Sequence, residues 1–119
     1  MKTLTEAFDA EMQQARVRYR EMNLDHAMSH LATAHILGQS NLGRHWRVHA
    51  WMLRMGLAQR NSREVVGQVF RMALIPLGHL TRRLPAGNPG HSGVSAFRAM
   101  PVPPELKLLL DRELTRPQQ

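Results

Sequence analysis

Apolar residues recur at three- and four-residue steps along most of the chain, and each run stops at a cluster of turn-prone polar groups. Leu4, Phe8, Met12, Ala15, Tyr19 and Met22 keep this spacing, which predicts an amphipathic helix over 4–22. Asn23-Leu24-Asp25 interrupts the pattern, and a second helix is expected over about 25–38, burying Ala27, Met28, Leu31 and Ala34 and ending at Gly38. After the connector Gln39-Ser40-Asn41, the stripe Leu42, Trp46, His49, Leu53 and Leu57 predicts a third helix over about 42–59. Asn61 and Glu64 have capping-box spacing and open a fourth helix. Its expected apolar face is Val65, Val66, Val69, Phe70 and Ala73. Pro76 is expected to end or kink it near residue 75, with a shorter helical piece reaching Leu84.

Beyond that point the pattern changes. Five prolines and three glycines between 85 and 104 exclude regular structure there. Val94, Phe97, Met100 and Val102 supply apolar anchors, so this segment is expected to wrap the bundle. Pro104, at a permitted first-turn position, opens a last short helix over 105–114, and the tail beyond it should fray. The short connectors make successive helices antiparallel neighbours. Ala15, Tyr19, Ala27, Leu31 and Ala34, echoed by Val66, Phe70 and Ala73, resemble a degenerate tetratricopeptide-type hairpin. The interval from Tyr19 to Ala27 is one residue short and no third repeat follows, so the likeness informs topology alone. The expected fold is all-α: an antiparallel bundle of about four helices in a single domain spanning 1–119, with a helical core over 1–84, a wrapping segment over 85–104 and the short final helix.

Composition narrows the chemistry. There is no cysteine, so disulfides, thiolate metal sites and cysteine nucleophiles are excluded, and any metal must be held by nitrogen and oxygen. The first twelve residues carry Glu6, Asp9 and Glu11 instead of an apolar signal-peptide region, and no apolar run is long enough to span a bilayer. A cytoplasmic location without membrane association is therefore expected. The net charge of +7 is uneven: residues 42–84 carry eight arginines against Glu64 alone. Such a segment offers itself to an acidic protein or to nucleic acid, although an arginine-rich solvated face has the same composition.

Five of the seven histidines fall between 26 and 49, and four of them form i,i+4 pairs, His26 with His30 and His45 with His49. Helical geometry separates them. At about 100° per residue, His35 lies about 180° from His26 and follows Leu31 into the buried stripe, while His26 and His30 share an exposed edge. Folding the hairpin at its connector makes residue numbers summing to about 80 level, which sets His35 opposite His45 with His49 one turn deeper. The same operation at the first turn sets Glu11 level with His35. Glu11, His35, His45 and His49 are thus expected to converge between three helices. Three imidazoles and a carboxylate suit a divalent transition metal: zinc first, with iron, copper, nickel and cobalt as alternatives. Met52 is close enough in sequence to add a soft thioether favouring copper. Neutral imidazole ligands imply weaker binding below about pH 6. The alternative is a metal-free core in which His35 and His49 are satisfied by hydrogen bonds and Glu11 pairs with one of them or with Arg18. His79 and His91 stand apart and are expected to be structural or incidental.

These residues also resemble a family of short bacterial proteins known as a domain of unknown function. The likeness is carried by Ala34-His35-Ile36-Leu37-Gly38-Gln39, by His45-Trp46-Arg47-Val48-His49-Ala50-Trp51-Met52-Leu53 and by Arg63-Glu64-Val65-Val66-Gly67-Gln68. It continues in Gly87-Asn88-Pro89-Gly90, Val94-Ser95-Ala96-Phe97-Arg98 and Met100-Pro101-Val102-Pro103 and covers nearly the whole chain. The resemblance implies a helix-one glutamate, matched by Glu11, and histidines matched by His35, His45 and His49. The acid often found just before the first histidine is replaced here by Thr33. Two functions compete. One is metal binding or homeostasis, with an enzyme ranked below it because no serine, lysine or second acid is placed for acid–base work. The other is a metal-free interaction module using Arg44, Arg47, Trp51 and Arg54 to grip an acidic protein or nucleic acid.

Overall fold

Three-residue turns join the first four helices, so each must reverse direction and pack on its predecessor. In the computed structural model, which describes residues 2–81, 87–91, 94 and 98–115, α1 spans Leu4–Arg20, α2 Leu24–Gly38, α3 Leu42–Ala58, α4 Ser62–Thr81 and α5 Pro104–Thr115. All the described elements are helical, and the packing runs α1 on α2, α2 on α3 and α3 on α4. The all-α bundle expected from periodicity is present.

Local chemistry sets the ends. Thr3, Asn41 and Asn61 cap α1, α3 and α4, their side-chain oxygens accepting from the backbone N–H groups of Glu6, Arg44 and Glu64. Met22 and Arg60 adopt left-handed backbone conformations after α1 and α3, and the following N–H groups of Asn23 and Asn61 return to Arg18 and Gly56 carbonyls. The core is built from Phe8, Met12, Leu31, Leu37, Val48, Met52 and Met55, all fully buried. Val102 and Leu106 pack against this core and close one side of it. Leu84, Pro85, Phe97 and the tail from 116 fall outside the described residues.

Two helix faces differ from expectation. On α3 the buried residues are His45, Val48, His49, Met52, Met55 and Gly56, while Leu42, Trp46 and Leu57 are exposed. The buried stripe is thus rotated by roughly 100° from the expected one. On α4 the reversal is more complete. Glu64, Gln68, Arg71 and Ile75 face inward, whereas Val66, Val69, Phe70 and Ala73 face out. Hydropathy misleads here because the inner surface of α4 meets histidines, and polar partners are what a buried imidazole requires. Gly56 lets the two helices close: a Cβ there would sit 3.2 Å from Glu64 Cβ. Pro76 does not end α4, which runs on to Thr81. The proline is exposed, so water can satisfy the carbonyl left without its N–H partner.

The face assignment has a measurable consequence. Leu31→Ala should lower unfolding free energy in urea by about 2–5 kcal/mol, as for a fully buried leucine. Leu80, 82% exposed on α4, should tolerate Leu80→Gln with a change of about 0.5 kcal/mol or less. Equal costs at the two positions would contradict an outward apolar face.

Candidate metal centre

α2 contributes His35, and α3 contributes His45 and His49 four residues apart. All three are buried, with 2%, 5% and 2% of their surface exposed. His35 Nε2 lies 3.1 Å from His45 Nε2 and 3.0 Å from His49 Nε2. The pairing of 35 with 45 obeys the level rule read from the hairpin. Each imidazole offers one nitrogen to a common point, and the ligand atoms all lie within 4.8 Å of one another.

The far side of each ring is also engaged. His35 Nδ1 lies 2.5 Å from the Asn88 carbonyl oxygen, and His49 Nδ1 lies 2.6 Å from Gln68 Oε1. A carbonyl accepts only, so His35 Nδ1 carries the proton. The Gln68 amide is oriented by donating from Nε2 to Glu64 Oε1 at 2.8 Å and to the Gly90 carbonyl at 3.1 Å. Its Oε1 therefore accepts, and His49 Nδ1 is protonated as well. The Met52 sulfur also receives this Nε2, at 3.5 Å. His45 Nδ1 lies 2.9 Å from His79 Nε2.

Burial is the largest influence on all these rings. Burial, aided by His49 and His79, lowers His45 to about 3, and burial lowers His49 to about 4 against the opposing hydrogen bond to Gln68. His35 is held well below the usual histidine value by burial and then by His49 and His45, with the Asn88 carbonyl opposing. Near neutral pH the three rings are uncharged. His35 and His49, each protonated at Nδ1, thus point bare Nε2 lone pairs at one another across 3.0 Å. Nitrogens held about 2.0–2.1 Å from a zinc ion in a tetrahedral arrangement lie about 3.3 Å apart, close to the observed spacing.

The strap from Gly87 to His91 clamps this arrangement. Asn88 is buried; its Oδ1 accepts from Gly90 N at 2.8 Å and its Nδ2 donates to the Arg98 carbonyl at 2.7 Å. Gly90 has φ of +88°, and a Cβ there would lie 2.5 Å from His35 Cδ2, so only glycine fits against the ring.

Glu11 does not join the cluster. Its Oε2 pairs with His30 Nδ1 at 2.6 Å, on the partly exposed edge between α1 and α2. Glu11 borders the buried stripe of α1, and the α2 histidine it meets is His30, five residues and more than one turn from His35. His26, expected to be on the surface, is exposed, its Nδ1 accepting from Asn23 Nδ2 at 2.7 Å. Arg44 and Arg47 lie 5.8 and 5.7 Å from the Phe8 ring centroid, and Arg54 lies 4.6 Å from that of Trp51. Gln68, Asn88, Gly90 and His79 were missed as parts of the site. His79 had a signal, since eleven residues place it about 20° from Gln68 on the helix. Asn88 and Gly90 had only their turn-forming types and their place in the Gly87-Asn88-Pro89-Gly90 motif.

Compared with known proteins, residues 2–110 match the family described as Protein of unknown function (DUF3703). The chain belongs to this family. Neither a curated protein nor a solved structure matches it. Among the described residues no helix of this family member is long and apolar enough to cross a membrane.

Acidification reads the buried histidines directly. Their folded pKa values lie below the ordinary 6.5, so the unfolded chain binds the additional protons. The stabilising contribution is complete above about pH 6.5 and is lost as pH falls toward 4. Chelator-treated protein should lose on the order of 1 kcal/mol per pH unit for each such histidine between pH 6.5 and 5 in urea titrations. His49→Gln should flatten that slope.

Proposed function

We propose that this protein binds one divalent transition-metal ion, zinc first, through the Nε2 atoms of His35, His45 and His49. The observation that carries the reading is the pair of bare lone pairs on His35 and His49, 3.0 Å apart with their outer nitrogens committed to acceptors. Hydrogen bonding alone leaves that pair repulsive, because a proton between them would create a buried imidazolium. A cation satisfies all three rings at once. Asn88, Gln68 and His79 would then orient the ligands from behind. Glu11 has no part in this site. A metal on three histidines supplies Lewis acidity at its remaining position.

Because burial keeps these rings neutral, binding should persist to lower pH than the ordinary histidine value implies. The roles this supports are metal capture or homeostasis in the bacterial cytoplasm, with iron, copper, nickel and cobalt as competitors for the site. The Arg44–Arg47–Trp51–Arg54 patch supports an acidic partner less well, since its arginines already stack on the protein's own rings.

Elemental analysis of untagged protein, followed by calorimetric titration with Zn²⁺ and Co²⁺, decides the matter. About one ion per chain is expected for the wild type, no high-affinity binding for His49→Ala, and affinity reduced about 10–100-fold for Gln68→Leu. Glu11→Gln should bind as the wild type does. Protein that is purified metal-free and ignores both added ions would overturn the proposal.

A further inference from the structure

α4 presents Glu64, Gln68, Arg71 and Ile75 within about 60° of arc, all buried. In a hairpin closed at Arg60, numbers summing to about 120 lie level, and the contact between Gln68 and Met52 obeys this rule. Arg71 is therefore level with His49. Its side chain is only 8% exposed. One guanidinium nitrogen, Nη2, donates to the Val94 carbonyl, while the buried Nε–H has no hydrogen-bond partner among the described residues. Buried donors are rarely left this way in native structures.

Charge points in the same direction. The three imidazoles are neutral, and Glu64 is the one acid on the inward face of α4, where it offsets Arg71. A divalent ion on the histidines would thus add two buried positive charges to a face where Glu64 and Arg71 together carry no net negative charge, which is strongly unfavourable. An anion that ligates the ion and accepts from Arg71 Nε would resolve both deficits. The near-complete burial of the cluster limits that anion to a few heavy atoms. The positive charge of Arg71 also opposes protonation of His35 and His49, in keeping with its level beside His49.

Resting on the metal reading above, we infer that the site takes a small oxyanion of carboxylate or carbonate type as its further ligand, held by Arg71 Nε–H beside the ion. The role of Arg71 is to position this anion.

Co²⁺-loaded protein provides the test, because its visible absorption reports the ligand set. Formate, bicarbonate and inorganic phosphate are titrated in turn. Saturable spectral changes with formate or bicarbonate are expected in the wild type. In Arg71→Met the anion affinity should fall about tenfold more than any loss of Co²⁺ affinity measured by calorimetry. Arg71→Lys keeps the charge but lacks the Nε–H, and it should show the same selective loss if Arg71→Met fails to fold. Co²⁺ binding with no response to any anion, a response to phosphate alone, or equal anion affinity in the arginine variant that folds would overturn this inference and leave the metal reading standing. Failure of the wild type to bind Co²⁺ or Zn²⁺ would overturn both.

Discussion

The site depends on how the backs of three imidazoles are held. Once Asn88 and Gln68 accept from His35 and His49, the tautomers are fixed and both Nε2 atoms must face inward without protons. That constraint explains why α4 is built as it is. A helix with an ordinary apolar inner face would leave His49 Nδ1 unsatisfied in the core. The polar row of Glu64, Gln68 and Arg71 is the answer to histidines already buried by α2 and α3. The strap then completes the enclosure by supplying backbone carbonyls where no side chain reaches.

Much of the framework was legible in the chain. Helix spacing, caps and short connectors defined the first four helices to within a few residues, and the level rule brought His35 to His45. What failed was azimuth wherever the site overrides hydropathy. Val66, Val69 and Phe70 outscore Glu64, Gln68 and Arg71 on any apolar scale, yet the latter face inward because their partners are polar. The same competition displaced the α3 stripe and hid Gln68. Glu11 departs for a different reason: it meets His30, five residues and more than one turn from His35 along α2. Asn88 lies 53 residues from His35 in sequence, and a backbone carbonyl leaves no mark in residue type.

The enclosure also separates two kinds of residue. His35, His45 and His49 present the atoms that face one another. Gly90 and Asn88 support that arrangement from behind: Gly90 by lacking a side chain where His35 stands, Asn88 by setting its carbonyl on His35 Nδ1 and turning the strap back on itself. Loss of either kind would weaken the cluster by different routes, one removing a nitrogen and the other its support.

The outward apolar row on α4 has a consequence for how copies of this protein behave together. Val66, Val69, Leu77 and Leu80 present a continuous greasy seam to solvent on a chain of net charge +7. Mutual repulsion of that charge opposes seam-to-seam adhesion at low ionic strength. Added salt shortens the range of the repulsion and leaves the adhesion intact. Colloidal stability is therefore set by a balance between the arginines of 42–84 and one helix face, and it shifts toward association as screening grows.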